Sequence, residues 1–400
     1  MKRGSNAVAG VGGWLLATSL VVVVGAGVLG LPEMQDGVSV ATYRVDPFWP
    51  KPLPSMVDDD GLSRQWVTGM VGASCVDSHD HIITVNRGFL PNGLLPQEGS
   101  QSIPSPPVVL YDPAGNVAGS WGDSSLTPEG AAAVLPHGIH GCFADHLDNI
   151  WIAGNSDGVV QKWSHDGSQL LLQIGTKGVC DGAPTTNPGA PYPTCGEPGR
   201  NTSRTLLNAP ADIAVDPNPD PVTGEPGSVY IADGYGNHRI VVFDREGNYL
   251  RQWGGAGSGD SQFVERGGGH PHCVVLGRDG LVYACDRGQN RVQVFDREGN
   301  LQRIIAVDPP DHMMATLRAT DIELSRDDQQ RFLFVVDLGS NRIWILERES
   351  GDMVGSIGRS GHMAGEFTFP HTIVTDSAGH LYAAETVGGR RHQKFVATSN

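Results

Sequence analysis

The chain alternates apolar and polar residues over short segments that are separated by turns rich in Asp, Gly and Asn. The heptapeptide VFDREGN occurs twice, at 242–248 and at 294–300, each time between two such segments. Alternation with a period of two, bounded by turn residues, predicts antiparallel β-strands. The sequence therefore predicts an all-β protein built from repeated strand–turn–strand units.

This frame recurs six times along the chain. The first strands of the units are predicted to begin near Gly72, His140, Ala211, His272, Thr320 and His371. Segments rich in Pro and Gly, such as 86–106 and 176–204, lengthen some of the intervals between units. Repeats of about 40–50 residues with four strands each are typical of β-propeller blades, and closing the ring removes exposed sheet edges. We expect a six-bladed β-propeller; two packed β-sandwiches are the alternative.

The amino terminus has a different character. Lys2 and Arg3 precede a stretch without charges from Ala7 to Leu31. A basic start followed by an apolar run predicts an export signal, and the run is also long enough to remain in a bilayer as an anchor. We expect residues 1–35 to be a signal peptide or a signal-anchor helix, and the rest of the chain to be periplasmic, extracellular or anchored at a membrane through this helix alone.

Beyond that segment we expect two parts. Residues 36–65 are predicted to be a linker, in which Ala41–Pro50 supplies an outer strand near the closure of the ring. Residues 66–400 are predicted to form the propeller, as a monomer.

Composition excludes several classes of protein. The chain has 54 Gly and 27 Pro among 400 residues, too many for a helical bundle. Its formal net charge of −16 argues against a nucleic-acid partner, because binding phosphates requires a basic surface.

The six cysteines fit an oxidising compartment. Cys180 and Cys195 bracket a Pro/Gly-rich loop that a disulfide could close, and Cys273 and Cys285 are expected on adjacent strands. Cys75 and Cys142 hold what look like equivalent repeat positions, so we expect them to be core residues.

Three of the 14 histidines fall at one repeat position: His140, His272 and His371. Each lies 11 residues before an aromatic residue of the next strand (Trp151, Tyr283 and Tyr382). They belong to alternate units, and alternate blades of a six-fold ring are related by about 120°, so the three side chains would converge on the central axis. Three neutral imidazoles placed in this way suit a zinc ion with a fourth position open for water or substrate.

Other interpretations of these histidines remain open. Propeller channels are polar, so the three could simply line a water-filled channel; their alternate phase favours a metal site. His137 competes with His140 as the first ligand, because Pro136-His137 resembles Pro271-His272 and Pro370-His371. His137 or His270 could instead support a ligand through a hydrogen bond.

Further polar residues follow the second strands of three units. Arg87 and Arg287 share one repeat position, and Tyr235 is one residue further on in its unit. An arginine can bind a carboxylate through two hydrogen bonds, and a tyrosine hydroxyl beside a metal ion can act as a general base. We expect these three side chains at the same mouth of the channel as the histidines.

At this point the chain resembles the NHL-repeat propellers, and within them the catalytic domain of peptidyl-α-hydroxyglycine α-amidating lyase. The resemblance covers roughly 66–396 and rests on the segments HGCFADHLDNIWIAG, PADIAVD, SVYIADGYGNHRIVVF, PHCVVLGRDGLVYACDRGQNRVQVF and PHTIVTDSAGHLYAAE. It implies that His140, His272 and His371 bind zinc. It also implies that Tyr235 takes the proton of the substrate hydroxyl, and that Arg87 and Arg287 are active-site arginines, Arg87 helping to hold the substrate. The implied reaction cleaves a C-terminal α-hydroxyglycine to an amide and glyoxylate.

The chain departs from that family in three respects. In the animal lyases an aspartate directly follows the last zinc histidine and helps to bind a structural calcium ion, whereas this chain has Thr372, so calcium is a second candidate ion with one expected ligand missing. The cysteine beside the active tyrosine is replaced by Gly236, so the cysteine pairing of the family does not carry over. The chain also lacks the copper-dependent hydroxylating domain that makes the substrate.

We therefore expect an exported zinc lyase that acts on a peptide C-terminus or a related small substrate. A non-catalytic propeller that binds a protein or glycan partner is the alternative. A hydrolase of the lactonase or strictosidine-synthase-like kind fits less well, because its site would use carboxylates and Asn where this chain has histidines.

Overall fold

The computed structural model describes residues 41–57, 60–90, 93–122, 135–185, 193–264, 269–309 and 317–398. The predicted export segment lies outside these ranges. Within them, no helix is both long enough and apolar enough to cross a bilayer.

Strands dominate the described ranges. In the first half of the chain they are β1 (Thr42–Asp46), β2 (Ser55–Val57), β3 (Ser63–Val67), β4 (Val71–Val76), β5 (Ile82–Asn86), β6 (Ser102–Pro104), β7 (Val108–Tyr111), β8 (Val117–Trp121), β9 (Ile139–Ala144), β10 (Ile150–Gly154), β11 (Val159–Trp163) and β12 (Leu170–Gly175). In the second half they are β13 (Asp212–Pro219), β14 (Pro226–Asp233), β15 (Arg239–Phe243), β16 (Tyr249–Gly254), β17 (Val274–Leu276), β18 (Val282–Asp286), β19 (Arg291–Phe295), β20 (Leu301–Ala306), β21 (Asp321–Leu324), β22 (Phe332–Asp337), β23 (Arg342–Glu347), β24 (Met353–Ile357), β25 (Pro370–Thr375), β26 (Leu381–Glu385) and β27 (Arg391–Thr398). The helical elements are α1 (Pro96–Gln101) and two 3₁₀ turns (Asn155–Asp157 and Arg287–Gln289).

In these ranges the strands form six four-stranded antiparallel sheets and one small three-stranded sheet. In spatial order the six are sheet I (β4-β5-β7-β8), sheet II (β9-β10-β11-β12), sheet III (β13-β14-β15-β16), sheet IV (β17-β18-β19-β20), sheet V (β21-β22-β23-β24) and sheet VI (β25-β26-β27-β1). The first strand of each begins within two residues of its predicted start. The small sheet joins β2 and β3, which precede sheet I, to β6. Both β6 and α1 lie within the predicted 86–106 insertion.

The early strand β1 completes the last sheet. It pairs antiparallel with β27, from Thr42 opposite Thr398 to Asp46 opposite Lys394. This strand lies within Ala41–Pro50, at the outer edge of sheet VI.

The repeated heptapeptide forms the same turn twice. Asp244 and Asp296 each follow a strand, and one carboxylate oxygen of each accepts hydrogen bonds from the backbone amides two and four residues later. Gly247 and Gly299 have φ angles of 85° and 98°, a conformation that glycine adopts at little cost. The Asp supplies the cap and the Gly the reversal, so the heptapeptide specifies a hairpin by local chemistry alone.

Successive sheets share their apolar cores. Buried residues of sheets I and II form one cluster, and similar clusters join II to III, III to IV, IV to V and V to VI. A further cluster contains Ile82 and Tyr111 of sheet I with Tyr382 of sheet VI, and Trp49 of the incoming segment packs into it. Each sheet therefore buries both faces against its neighbours, an all-β architecture of the propeller type.

The six cysteines form three disulfides. Cys180–Cys195 closes the loop after β12, as the sequence indicated, and Cys273–Cys285 joins the start of β17 to β18, the adjacent strands on which the two cysteines were expected. Cys75 and Cys142 lie in the buried core shared by sheets I and II, as predicted, and they also form a third disulfide that the sequence did not predict, with Cα atoms 5.5 Å apart. Equivalent positions on two adjacent sheets do not by themselves show that the two side chains face each other. Three disulfides fit an oxidising compartment.

Candidate metal centre

The three histidines in phase meet where the first strands of alternate sheets begin. His140 and His371 lie where the pairing of β9 and β25 with the neighbouring strand shifts register, and such bulges redirect side chains. Each Nδ1–H donates to a backbone carbonyl of the following sheet, and the acceptors hold the matching repeat position there. The three bonds are His140 to Ala211 (2.8 Å), His272 to Thr320 (2.6 Å) and His371 to Gly72 (2.7 Å).

These bonds fix which nitrogen of each ring can bind a cation. A carbonyl oxygen can only accept, so each Nδ1 carries the hydrogen and each neutral ring keeps its Nε2 lone pair. The ring centroids lie 4.9 to 5.1 Å apart, and the candidate ligand atoms all lie within 4.8 Å of one another. Zinc-binding histidines usually have their ring orientation fixed in this way, by a hydrogen bond from the other ring nitrogen to a carbonyl or carboxylate.

Burial keeps the three rings neutral. It is the largest cause that lowers the pKa of His140 and of His272 well below the ordinary value. The pKa of His371 falls to about 3, through burial and then the charges of Arg87 and Arg287. A neutral imidazole is the form that binds a metal.

Tyr235 faces the same centre from the end of β14. Its hydroxyl oxygen lies 3.1 Å from His140 Nε2 and 3.1 Å from His272 Nε2. The next residue, Gly236, packs against Asn208, and a Cβ there would lie 2.3 Å from Asn208 Cγ. A cysteine at this position would not fit unless the Asn208 side chain moved.

The two arginines flank the imidazoles. The Arg287 guanidinium donates to the Tyr235 hydroxyl at 3.3 Å and lies over its ring. Arg87 donates through Nε to the carbonyl of Ile139 at 2.6 Å, and burial lowers its pKa. Two guanidinium groups beside neutral ligands favour a bound anion such as a carboxylate.

The hydrogen bonds around the centre fit a cation. With each Nδ1–H directed at a carbonyl, three Nε2 lone pairs converge, and the Tyr235 hydroxyl has a single hydrogen for the two Nε2 atoms within its reach. The three Nε2 lone pairs therefore outnumber the one hydroxyl hydrogen that could bond to them. A divalent ion bound by the three Nε2 atoms would satisfy them, and a His₃ set is a ligand set of catalytic zinc.

The structure also places the two neighbouring histidines. His137 is outside the cluster of possible ligands, and its backbone N–H donates to the Asp157 carboxylate. His270 accepts a hydrogen bond from the Gly288 amide at 3.1 Å and so helps to position the turn that carries Arg287. The sequence had left His137 and His140 as alternatives, and His140 is the one beside His272 and His371.

The sequence alone does not predict the carbonyl acceptors. Gly72, Ala211 and Thr320 are visible in the sequence as the residues that replace histidine in the odd-numbered sheets. Their shared repeat position could have pointed to them. However, the acceptors are backbone carbonyls, which every residue type carries, so residue identity does not reveal them.

A cavity of about 340 Å³ lies among the first strands of all six sheets. It is lined by residues that follow the histidine position, including Asp212, Asp321, Glu323 and Thr372. Asp212 accepts from the Val274 amide at 3.0 Å and Asp321 from the Ile373 amide at 2.9 Å, so each carboxylate links its sheet to the next one. Burial raises the pKa of Asp212 to about 7, and burial followed by the charge of Asp212 raises that of Asp321.

We expect Asp212→Asn to stabilise the protein at alkaline pH. A carboxyl whose pKa is higher in the folded state contributes fully below its unfolded pKa of 3.8 and loses that contribution as pH rises through about 7. Asn keeps an acceptor for the Val274 amide and does not ionise. The free energy of unfolding should rise by about 1–2 kcal/mol at pH 8, less than the full shift allows because Asp212 as a residue keeps some solvent exposure.

Urea unfolding at pH 4.5 and at pH 8 measures this gain. The difference between the variant and the wild type should shrink at the lower pH. An equal difference at both values would show that ionisation of Asp212 is not its cause.

Comparison with known proteins supports the fold and gives distant relatives. Residues 269–295 match the NHL repeat, so the chain contains at least one such repeat, and this one includes His272 and Arg287. Human NHL repeat-containing protein 3 is 23% identical over 88% of this chain and 84% of its own length.

Two further relatives are named for amidating enzymes. Peptidyl-glycine alpha-amidating monooxygenase A of Xenopus laevis is 27% identical over 62% of this chain but only 24% of its own length. The probable peptidyl-alpha-hydroxyglycine alpha-amidating lyase pgal-1 of Caenorhabditis elegans is 28% identical over 40% of this chain and 37% of its own length. Among solved structures, a streptogramin B lyase superposes with a TM-score of 0.51 at 12% identity, covering 89% of this chain and 98% of the other, which supports the fold alone.

Proposed function

We propose that the chain is an exported zinc-dependent lyase that cleaves the N–C bond of a carbinolamine, as peptidyl-α-hydroxyglycine α-amidating lyase does, giving an amide and glyoxylate, or a closely related reaction. One observation carries this proposal: three neutral imidazoles with hydrogen-bonded Nδ1 atoms direct their Nε2 atoms at one point, beside a tyrosine and two arginines.

His140, His272 and His371 would hold the zinc ion. When bound, the ion would supply a positive charge that polarises a substrate oxygen. Tyr235 takes the proton of the substrate hydroxyl, since its oxygen lies between two of the ligands. The oxygen of that hydroxyl becomes the aldehyde oxygen of glyoxylate, the N–C bond breaks, and the departing amide nitrogen acquires a proton. The amide and glyoxylate together contain all atoms of the substrate, so no water is consumed.

The arginines would bind the carboxylate of the substrate. Arg287 also fixes the Tyr235 hydroxyl, and Arg87 lies on the side of His140 and His371, whose pKa values its charge lowers. A carboxylate placed between the two guanidinium groups would hold the neighbouring hydroxyl-bearing carbon next to Tyr235.

A pair of substrates tests this assignment. N-benzoyl-α-hydroxyglycine and its carboxamide differ only in the charged group, and both release benzamide when the N–C bond breaks. We expect kcat/KM to be about 10–150-fold lower for the carboxamide, the value of one charge-assisted hydrogen bond of about 1.5–3 kcal/mol. Equal values would contradict carboxylate binding by the arginines, and no benzamide from either compound would contradict the reaction.

A binding module is the second candidate, because the human relative that matches most of this chain is named only for its repeats. In that case the chain would bind a protein or glycan partner through its loops. A variant with all three histidines replaced would then keep its partner, whereas the lyase would lose its activity.

The proposal includes a closed ring of six blades, working as a monomer behind an amino-terminal signal or anchor. The packing of sheet VI on sheet I through Tyr382, Ile82 and Tyr111 supports closure, and the three disulfides support export.

A further inference from the structure

A second group of possible metal ligands lies between sheets I and II. Asp77 and His81 belong to the turn that joins β4 to β5, and His165 belongs to the turn that joins β11 to β12. Their three ligand atoms all lie within 4.8 Å of one another. None of these residues takes part in the proposed lyase site.

The Asp77 carboxylate is fixed by its own turn. One oxygen accepts from the backbone amides of His79 and His81, both at 2.9 Å. That leaves the second oxygen to face His81 Nδ1 at 2.9 Å and His165 Nε2 at 2.8 Å. A ligand oxygen held by two backbone amides is already oriented before an ion arrives.

Exposure of the three side chains suits an ion that enters from solvent. The Asp77 side chain is fully buried, whereas those of His81 and His165 are 27% and 38% exposed. The carboxylate thus forms the base of a shallow site and the imidazoles form its rim, which leaves room for water as a further ligand.

Equivalent turns elsewhere in the chain do not direct two imidazoles at the aspartate. The matching aspartate of sheet II, Asp145, accepts from Asn149 and Trp151, and that of sheet VI, Asp376, accepts from Tyr382. Asn149 and His380 stand four residues after their aspartates, as His81 does, but His380 Nδ1 accepts from the Ala397 amide instead of facing the carboxylate.

The position of His165 is also taken by other residues elsewhere. Arg297 and Arg348 hold the place of His165 in the turns of sheets IV and V, and they bind Asp216 and Asp279 of the preceding sheet. Only this one of the compared turns carries an imidazole at both places, so its composition is not required by the fold.

We propose that Asp77, His81 and His165 form a second binding site for a divalent transition-metal ion of the zinc class, bridging sheets I and II. Two imidazoles and a carboxylate are nitrogen and oxygen ligands that such ions prefer over calcium or magnesium. Each imidazole binds in its neutral form, with its hydrogen on the other ring nitrogen. The ion ties two sheets together and stabilises the folded chain by mass action.

Two variants taken from the chain's own repeats test this site. His165→Arg copies the cross-sheet Arg–Asp pair, and His81→Asn copies the Asn149 hydrogen bond, so both keep a partner for Asp77 while removing a metal ligand. The metal-stripped proteins are titrated with Zn²⁺, bound zinc is counted by elemental analysis after dialysis, and thermal unfolding is followed with and without Zn²⁺. His140, His272 and His371 are intact in all three proteins, so zinc bound there contributes equally to each count.

We expect the wild type to bind one more equivalent of zinc than either variant, and its unfolding temperature to rise more with zinc. We also expect all three metal-free proteins to unfold at similar temperatures. Equal zinc content and equal stabilisation in the wild type and in either variant that folds would overturn the second site, and would leave the proposed lyase site untouched.

Discussion

Replacing Tyr235 by phenylalanine will lower the rate of amide release by about 10²- to 10⁴-fold, the usual contribution of a positioned general base. The hydroxyl lies 3.1 Å from two of the imidazoles and accepts from Arg287, so its loss removes the group that would take the substrate proton. The ring remains to pack against Arg287 and His140. Zinc content and unfolding temperature should therefore stay at their wild-type values.

Tyr249→Phe is a suitable control, because Tyr249 packs with Phe243 in the core between sheets II and III. Its activity should match that of the wild type. A Tyr235→Phe protein that holds zinc and turns over at the wild-type rate would remove Tyr235 from the mechanism.

Replacing His140 by alanine will eliminate zinc binding in the channel and lower the rate by at least about 10²–10³-fold, the cost of removing one preorganised group that stabilises charge in a transition state. Two nitrogen ligands remain, whereas a catalytic zinc site usually has three protein ligands. The Ala211 carbonyl also loses its buried donor, so the free energy of unfolding should fall by about 1–3 kcal/mol.

His137→Ala is the matched control, because the sequence alone leaves His137 and His140 as alternatives. His137 lies outside the ligand cluster, so this variant should retain zinc and activity. If His137→Ala lost the metal and His140→Ala kept it, the assignment of His140 as the ligand would be contradicted.

Much of the framework could be predicted from the sequence because it is encoded locally and repeatedly. The Asp and Gly of VFDREGN specify a hairpin without help from distant residues, so two copies of the heptapeptide reveal the repeat. The phase of His140, His272 and His371 then follows from counting, and the structure brings the three rings to one point.

The features that escaped prediction depend on contacts between sheets. The Cys75–Cys142 disulfide joins sheets I and II, and equivalent repeat positions do not show that two side chains face each other across adjacent sheets. Likewise, Asp77 and His165 lie 88 residues apart in the chain and become neighbours only because the two sheets pack together. The sequence of a turn predicts the conformation of that turn, but it does not predict which turn of the next sheet lies beside it.

The same limit applies to the orientation of the candidate zinc ligands. Residue spacing could place three imidazoles around one axis, but not decide which nitrogen of each ring faces it. The carbonyls of Gly72, Ala211 and Thr320 make that choice, and they act through backbone atoms.

The most direct test of the proposed lyase is zinc reconstitution followed by product analysis. The protein is stripped with a chelator, zinc is returned in steps, and glyoxylate released from N-benzoyl-α-hydroxyglycine is measured at each step. We predict that the stripped protein releases none above background and that the rate returns with zinc and then saturates. Zinc-loaded protein that releases no glyoxylate, or stripped protein that releases it at the full rate, would contradict a zinc-dependent lyase.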